Sequence, residues 1–314
     1  MSDGDWAGSG LTPAEVPVGT DVVRRLLLEQ FPDWADLPLR PVATPGMDNM
    51  TYRLDETMSV RLPRYPRWRR QVLREQQWLP VLGPQLPLAV PVPLAQGEPG
   101  AGYPFEWSVY RWLAGEPATA DRLADRRDAA LALAGFLRTL HSLGAAAGRP
   151  PEWSNGFRGC DLADPRDSPV THDRIAAKIA ALDGLVDTDA LTALWQAGLS
   201  ADRWSAAPVW VHGDPAPNNL LAEGGRLTAV IDFGTMAVGD PACDLIAAWT
   251  FVGAADRDEF RESIGLDDAS WERGRVWGMV STLPGPDELR DPARQPAAQR
   301  VIDGLLGDLA RAGR

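Results

Sequence analysis

Apolar positions fall into two regimes along this chain. Before about residue 110 they alternate with polar ones in short runs. "NMTYRL" (residues 49–54) and "MSVRLPR" (58–64) have the period of two expected of half-buried strands, with "DET" (55–57) as the hairpin turn between them. "FEWSVYRWL" (105–113) predicts a third strand. Two stretches in the same region have helical spacing instead. "DVVRRLLLEQF" (21–31) follows Thr20, a candidate N-cap, and "RWRRQVLREQQWLPVLG" (67–83) sets Trp68, Val72, Leu73, Gln76 and Leu79 near one face. The proline-rich run over 84–104 predicts extended chain and turns, because proline lacks the amide a helix interior needs. From Asp121 the period changes to 3.6. Leu133, Phe136, Leu137 and Leu140 share a face, and helical patterns recur over 172–185, 190–199, 240–253, 256–265, 269–283 and 299–313. The predicted architecture is α+β and bilobal. A small β-rich lobe spans 1–110, a connector "RWLAGEP" spans 111–117, and a larger, mostly helical lobe spans 118–314.

Composition narrows the class. The chain has 314 residues, 45% apolar and 24% charged, enough for two lobes with real cores. "MSDGDWAGSG" lacks the basic start and apolar run of a secretory signal, and no apolar stretch approaches the roughly 18 residues that span a bilayer. Cys160 and Cys243 form no metal or redox spacing and read as free thiols. The expectation is a cytoplasmic protein with no membrane partner. Net charge is −12, which disfavours nucleic acid and favours cationic partners. Residues 204–314 hold 17 acidic and 10 basic groups, so most of the excess sits there. Lys178 is the sole lysine; the other thirty basic residues are arginines.

The candidate chemistry lies in "APVWVHGDPAPNNLLAEGGRLTAVIDFG" (207–234). Gly224-Gly225 at a hairpin centre permits the positive φ angles of a tight primed turn. With a two-residue loop, position 219 lies opposite 230, so Asn219 and Asp232 come to one end of the hairpin, with Asp214 on the loop before it. An amide oxygen and a carboxylate at a hairpin mouth suit Mg²⁺, which takes one or two protein oxygens and fills its octahedron with phosphate and water. Asp214 is then placed to accept a proton from an attacking hydroxyl. Each residue alone reads as a turn former. Together, D-x-x-x-x-N over Asp214–Asn219 and D-F-G over Asp232–Gly234 reproduce the division of labour in kinases. His212 is expected to be buried and to brace the loop backbone.

"VHGDPAPNNLL…VIDFGTMAVGDPACDLIAAW" resembles the signature of the aminoglycoside phosphotransferase family, relatives of the protein kinases. "GMDNMTYRL", "MSVRLPR", "REQQWLP", "WSVYRWLAGE" and "LAGFLRTLH" resemble family segments in the family's order, so the likeness covers both lobes. It implies a protein-kinase-like fold and transfer of the γ-phosphoryl of ATP or GTP to a small-molecule hydroxyl. It also implies Asp214 as the catalytic aspartate, Asn219 and Asp232 as magnesium ligands, and Asp244 as a brace for the catalytic loop. Without the likeness, Asp244 reads as a carboxylate suited to the first turn of a helix.

On the nucleotide side, the turn with Gly46, Asp48 and Asn49 is the candidate phosphate loop. Arg61 stands where the family often has lysine, with Glu75 as its partner on the following helix. Arg64 competes for that role, and Arg69, Arg70 and Arg74 read as a solvated face. Backbone groups near Tyr110 and Trp112 are expected at the purine edge. For the acceptor, Glu259, Glu262 and Trp271 are candidates, although a solvated face and core packing explain such residues as well. Trp153, Phe157 and Arg158 form a candidate lid. The expected acceptor is an aminoglycoside or other cationic antibiotic, which would make the enzyme, a monomer or homodimer, a resistance factor. A macrolide, an ordinary hydroxylated metabolite, or a non-catalytic nucleotide-binding module are the alternatives.

Overall fold

A computed structural model describes residues 15–42, 48–164 and 169–307. The chain divides into two compact units. One takes the chain up to Pro84 with Val90–Leu113; the other takes Gln85–Ala89 and the chain from Ala114 on. The break at Leu113 falls inside the expected connector. The detour of residues 85–89 was not legible, because it depends on distant backbone. The Ala89 amide donates to Thr228 O at 3.0 Å, and Val230 donates back to Ala89 O at 2.9 Å.

The first unit contains α1 (Thr20–Gln30), β1 (Leu39–Pro41), β2 (Asn49–Leu54), β3 (Met58–Pro63), α2 (Arg69–Leu82), β4 (Pro93–Gly97) and β5 (Trp107–Arg111). Its strands form one antiparallel sheet in the order β1-β2-β3-β5-β4. The alternation sends Tyr52, Leu54, Val60, Leu62, Trp107 and Val109 into a core with Val23, Leu26 and Leu27 of α1. Each fully buried aliphatic there contributes about 1.5–3 kcal/mol relative to exposure. Thr20 does not cap α1. Gly19 holds the N-cap position without a side-chain bond, and Thr20 begins the helix. In α2 the buried face is Gln71, Val72, Arg74, Glu75, Leu79 and Leu82. Leu73 points outward at 46% exposure, and Arg74 is buried rather than solvated. The apolar period misled here because the inward face carries charged groups.

The second unit contains β6 (Glu116–Pro117), α3 (Arg126–Ser142), α4 (Pro169–Ala181), α5 (Thr188–Ser200), β7 (Val209–Val211), β8 (Leu220–Glu223), β9 (Arg226–Val230), β10 (Ala237–Gly239), α6 (Ala247–Thr250), α7 (Arg257–Ile264), α8 (Asp268–Thr282), α9 (Pro286–Arg290) and α10 (Gln295–Gly307). Aspartate side chains cap three helices: Asp125 accepts from the Asp128 amide, Asp187 from Ala190 and Asp267 from Ser270. Leu191, Leu194, Val276, Trp277, Val280, Ile302 and Leu305 belong to one core. The segment predicted helical over 240–253 is a 3₁₀ stretch, Pro241–Ile246, followed by the single turn α6. Asp240 caps it, accepting from the Ala242 amide at 3.0 Å. Among the described residues, no helix is long and apolar enough to cross a membrane.

Candidate active site

β8 and β9 form the hairpin that carries the motif. Gly224 and Gly225 adopt φ of 58° and 82°, as a tight primed turn requires. The pairing begins as predicted, with Glu223 opposite Arg226 and Ala222 opposite Leu227, and then slips by one at a bulge, so that Leu221 meets Ala229 and Leu220 meets Val230. Asn219 therefore sits across from Ile231, whose amide donates to Asn219 O at 2.8 Å, rather than from Val230. The slip moves Asn219 one residue nearer Asp232. Asn219 Nδ2 donates to both Asp214 O (2.9 Å) and Asp214 Oδ2 (3.0 Å). Its Oδ1 accepts from Asn218 Nδ2 at 3.2 Å. Asp232 stands at φ 64°, a left-handed conformation unusual for a residue with a Cβ, just before the turn Phe233–Thr235.

The loop hangs on one buried carboxylate. Asp244, fully buried, accepts from the amides of His212 (3.0 Å) and Gly213 (2.6 Å) and from His141 Nε2 (2.9 Å). It lies in the Pro241–Ile246 stretch, so it braces the loop from a neighbouring element. Gly213 has φ 88°, and a Cβ there would fall 2.8 Å from Thr235 O. Glycine is required on both counts. His212 is fully buried; its Nδ1 accepts from the Asp214 amide at 3.2 Å and its Nε2 faces Ile231 O at 3.0 Å. Those partners fix the tautomer with the proton on Nε2. Its ring packs edge-on to Phe233 at 4.6 Å. His141 was missed by sequence reasoning. It ends the helix α3 and lies 103 positions from Asp244, so no local spacing pointed to it.

The donor set fits a hard divalent cation. Asn219 turns its nitrogen to Asp214, so its oxygen, which accepts from Asn218, is the atom that could meet a cation, and the Asp232 carboxylate is the second oxygen donor the motif would offer. Among the described residues, no group of three His, Cys, Asp or Glu side chains is gathered for metal. Two protein oxygens suit an ion that keeps phosphate and water in its shell, and do not suit a closed structural site.

In the first unit, Arg61 Nη1 lies 3.3 and 3.4 Å from the two oxygens of Glu75, which is 3% exposed. The Tyr110 hydroxyl donates to the same carboxylate at 2.5 Å. Burial, and then the Glu75 charge, push the Tyr110 phenol well above its ordinary pKa, so it stays a donor. The Tyr110 side chain thus holds Glu75, a role the backbone expectation overlooked. The Arg111 and Trp112 amides are used within the sheet, donating to Val92 O (2.9 Å) and Thr57 O (2.7 Å). Arg64 pairs with Glu15 at 2.6 Å instead. Asp48 and Asn49 both bond Gln71 of α2, and Gly46 lies outside the described residues.

The acceptor candidates are not assembled into one acidic wall. Glu259 pairs with Arg127 of α3. Glu262 is exposed on α7, and Trp271 is 3% exposed, packed at a tilt against Trp249 with ring centroids 5.1 Å apart and Arg261 over its face. Trp271 is a packing residue. The expected lid is tied down: Asn155 Nδ2 donates to Arg158 O (3.0 Å) and Thr235 O (3.1 Å), which fastens residues 152–160 to the segment after Asp232.

Residues 39–277 match the sequence profile of the phosphotransferase enzyme family, APH. A Bacillus subtilis (strain 168) relative, the uncharacterized protein YcbJ, is 26% identical over 198 residues, covering 62% of this chain and 58% of that protein. The chain thus spans less than two thirds of that relative's length. The GDP and kanamycin complex of APH(2")-IIIa superposes with a TM-score of 0.63 at 21% identity, covering 92% of this chain and 98% of that one. The macrolide 2'-phosphotransferase MphH from Brachybacterium faecium gives 0.57 at 23% identity, covering 90% and 98%. At these identities the two structures establish a kinase-like fold and no more. The chain belongs to the phosphotransferase enzyme family.

Proposed function

We propose that this enzyme moves the γ-phosphoryl group of ATP or GTP to a hydroxyl of a small organic molecule, with Asp214 as the base. The observation that carries the reading is the setting of Asp214. Its Oδ2 is held by the Asn219 amide, and its Oδ1 has no protein partner among the described residues. That oxygen is the acceptor an incoming hydroxyl needs. As the new O–Pγ bond forms, the bond from Pγ to the bridging oxygen breaks and the nucleoside diphosphate leaves with the electron pair. The hydroxyl proton passes to Asp214 Oδ1. Magnesium held by Asn219 Oδ1 and Asp232 would neutralise phosphate charge. Arg61, positioned by Glu75 and Tyr110, is the cation proposed to grip phosphate; its fork makes it a bidentate donor where lysine would be a point charge.

The two solved relatives act on or bind antibiotics, which supports an antibiotic-type acceptor, and the GDP in the first supports a nucleotide cosubstrate. A polycationic acceptor gains no support from Glu259 or Trp271, which are committed to an ion pair and to packing. The test is a panel of hydroxylated acceptors, aminoglycosides and macrolides included, incubated with ATP or GTP and Mg²⁺. A product heavier by one phosphoryl group, absent with Asp214→Ala, is the expected result. Nucleotide binding with no acceptor-dependent product across the panel would favour a binding module instead.

A further inference from the structure

In this acidic chain, many arginines meet carboxylates. Arg61 meets Glu75, Arg127 meets Glu259, Arg261 meets Asp268, Arg273 meets Asp240 and Arg275 meets Glu272. Several cations depart from that pattern, Arg24 and Arg138 among them, which donate to backbone carbonyls. Arg158, Arg174 and Lys178 have no carboxylate within ion-pair distance among the described residues. They gather at one place, the end of α8. Arg158 Nη1 reaches Ser281 Oγ at 3.3 Å, with its guanidinium 5.2 Å over the Trp277 ring. Lys178 Nζ donates to Leu283 O at 3.2 Å, and Arg174 lies one turn earlier on the same face of α4.

This cluster adjoins the catalytic loop. A Cβ on Gly213 would fall 2.9 Å from Arg158 Cβ, so the Arg158 stem lies against the residue preceding Asp214. Its backbone is fixed as well. Asn155, 1% exposed, ties Arg158 O to Thr235 O, and Thr235 Oγ1 donates to His212 O at 2.9 Å. Phe157 is held at φ 58°, a strained conformation for a bulky side chain between Gly156 at 67° and Gly159 at 85°. Such strain persists where surrounding contacts over-determine it, and it aims Arg158. Beneath Arg158, the buried Trp277 Nε1 has no hydrogen-bond acceptor. Partial burial, then the Arg158 charge, lower the Arg174 pKa; burial, then Arg174, lower that of Lys178. Arg174 is repelled by Arg158 and Lys178 by Arg174, the latter partly offset by Glu288, and a bound anion relieves that repulsion. A solvated basic patch is the simpler alternative, but it explains neither the latch nor the position beside Asp214.

We infer that Arg158, Arg174 and Lys178 form an anion-recognition subsite beside the catalytic loop, so that the acceptor carries a carboxylate or phosphate besides its reacting hydroxyl. The inference rests on Asp214 being the base of a phosphotransferase, and it replaces the cationic acceptor expected from net charge.

The test varies acceptor charge at constant size. D-Glycerate, glycerol and 3-amino-1,2-propanediol differ mainly in one terminal group. Binding of each, and of inorganic phosphate, is followed by tryptophan fluorescence, since Trp277 underlies Arg158. Glycerate or phosphate should bind saturably and glycerol and the amine should not; whichever anion binds identifies the group recognised. Affinity should fall about tenfold or more in Arg158→Gln and in Lys178→Gln, with partial recovery in Arg158→Lys. Unchanged thermal melting shows that the variants fold. Asp214→Asn should keep anion binding, so failure of the phosphotransfer reading alone leaves this result standing. Equal anion affinity in wild type and Arg158→Gln, loss in Arg61→Gln instead, or tighter binding of the amine would overturn the inference.

Discussion

The buried Asp244 carboxylate accepts three N–H hydrogen bonds, two of them from the backbone that leads into Asp214. Deleting it strands two buried amides, each costing about 1–3 kcal/mol. Asp244→Ala should therefore lose about 2–6 kcal/mol in urea unfolding; a loss under 1 kcal/mol would mean that the loop is held otherwise. Arg61→Ala belongs to the same scale. It removes the cation from a carboxylate that is 3% exposed, so it should raise nucleotide KM or cut kcat, and an unchanged kcat/KM would move the role elsewhere. Local chemistry was readable in the chain. Asp214 and Asn219 precede the β8–β9 hairpin and Asp232 follows it, so turn chemistry brings those chain segments to one end. His141, and the Tyr110 hydroxyl on Glu75, were not readable, because each depends on elements 35 or more positions apart.

At the level of elements, close approaches set the helix packing. A Cβ on Gly198 of α5 would lie 2.0 Å from Val276 Cγ2 of α8. Gly198→Ala, favourable in an isolated helix, should instead cost about 1–3 kcal/mol here through overpacking. A stabilised variant in thermal melting would contradict the packing. Asp267, the cap of α8, has its carboxyl held below the usual range, mainly by its bond from Ser270. A depressed carboxyl stabilises above its unfolded pKa, roughly 3.9, and loses that stabilisation as pH falls through the folded value. Asp267→Asn should flatten the acid limb of the stability curve below about pH 4, with little change in its slope near neutrality. Strand and helix positions followed the hydrophobic period closely; the bulge in β8–β9, the 3₁₀ form of 241–246 and the inward charged face of α2 did not. All three are set by what packs against them, which periodicity does not encode.

For the whole molecule, net charge was a poor guide to the acceptor. The chain carries −12, yet Glu259 on α7 and Asp268 and Glu272 on α8 are paired with arginines, while three cations that have no ion-pair carboxylate among the described residues lie together beside the catalytic loop. Distribution decides what a site attracts, and the sum does not. The central claim is that Asp214 takes the proton from the acceptor hydroxyl. The most direct measurement compares phosphoryl transfer and nucleotide affinity in wild type and Asp214→Asn, with an acceptor the wild type uses. General-base removal predicts a loss of about 10²–10⁴ in kcat with nucleotide affinity retained. Transfer by Asp214→Asn at the wild-type rate would contradict the account.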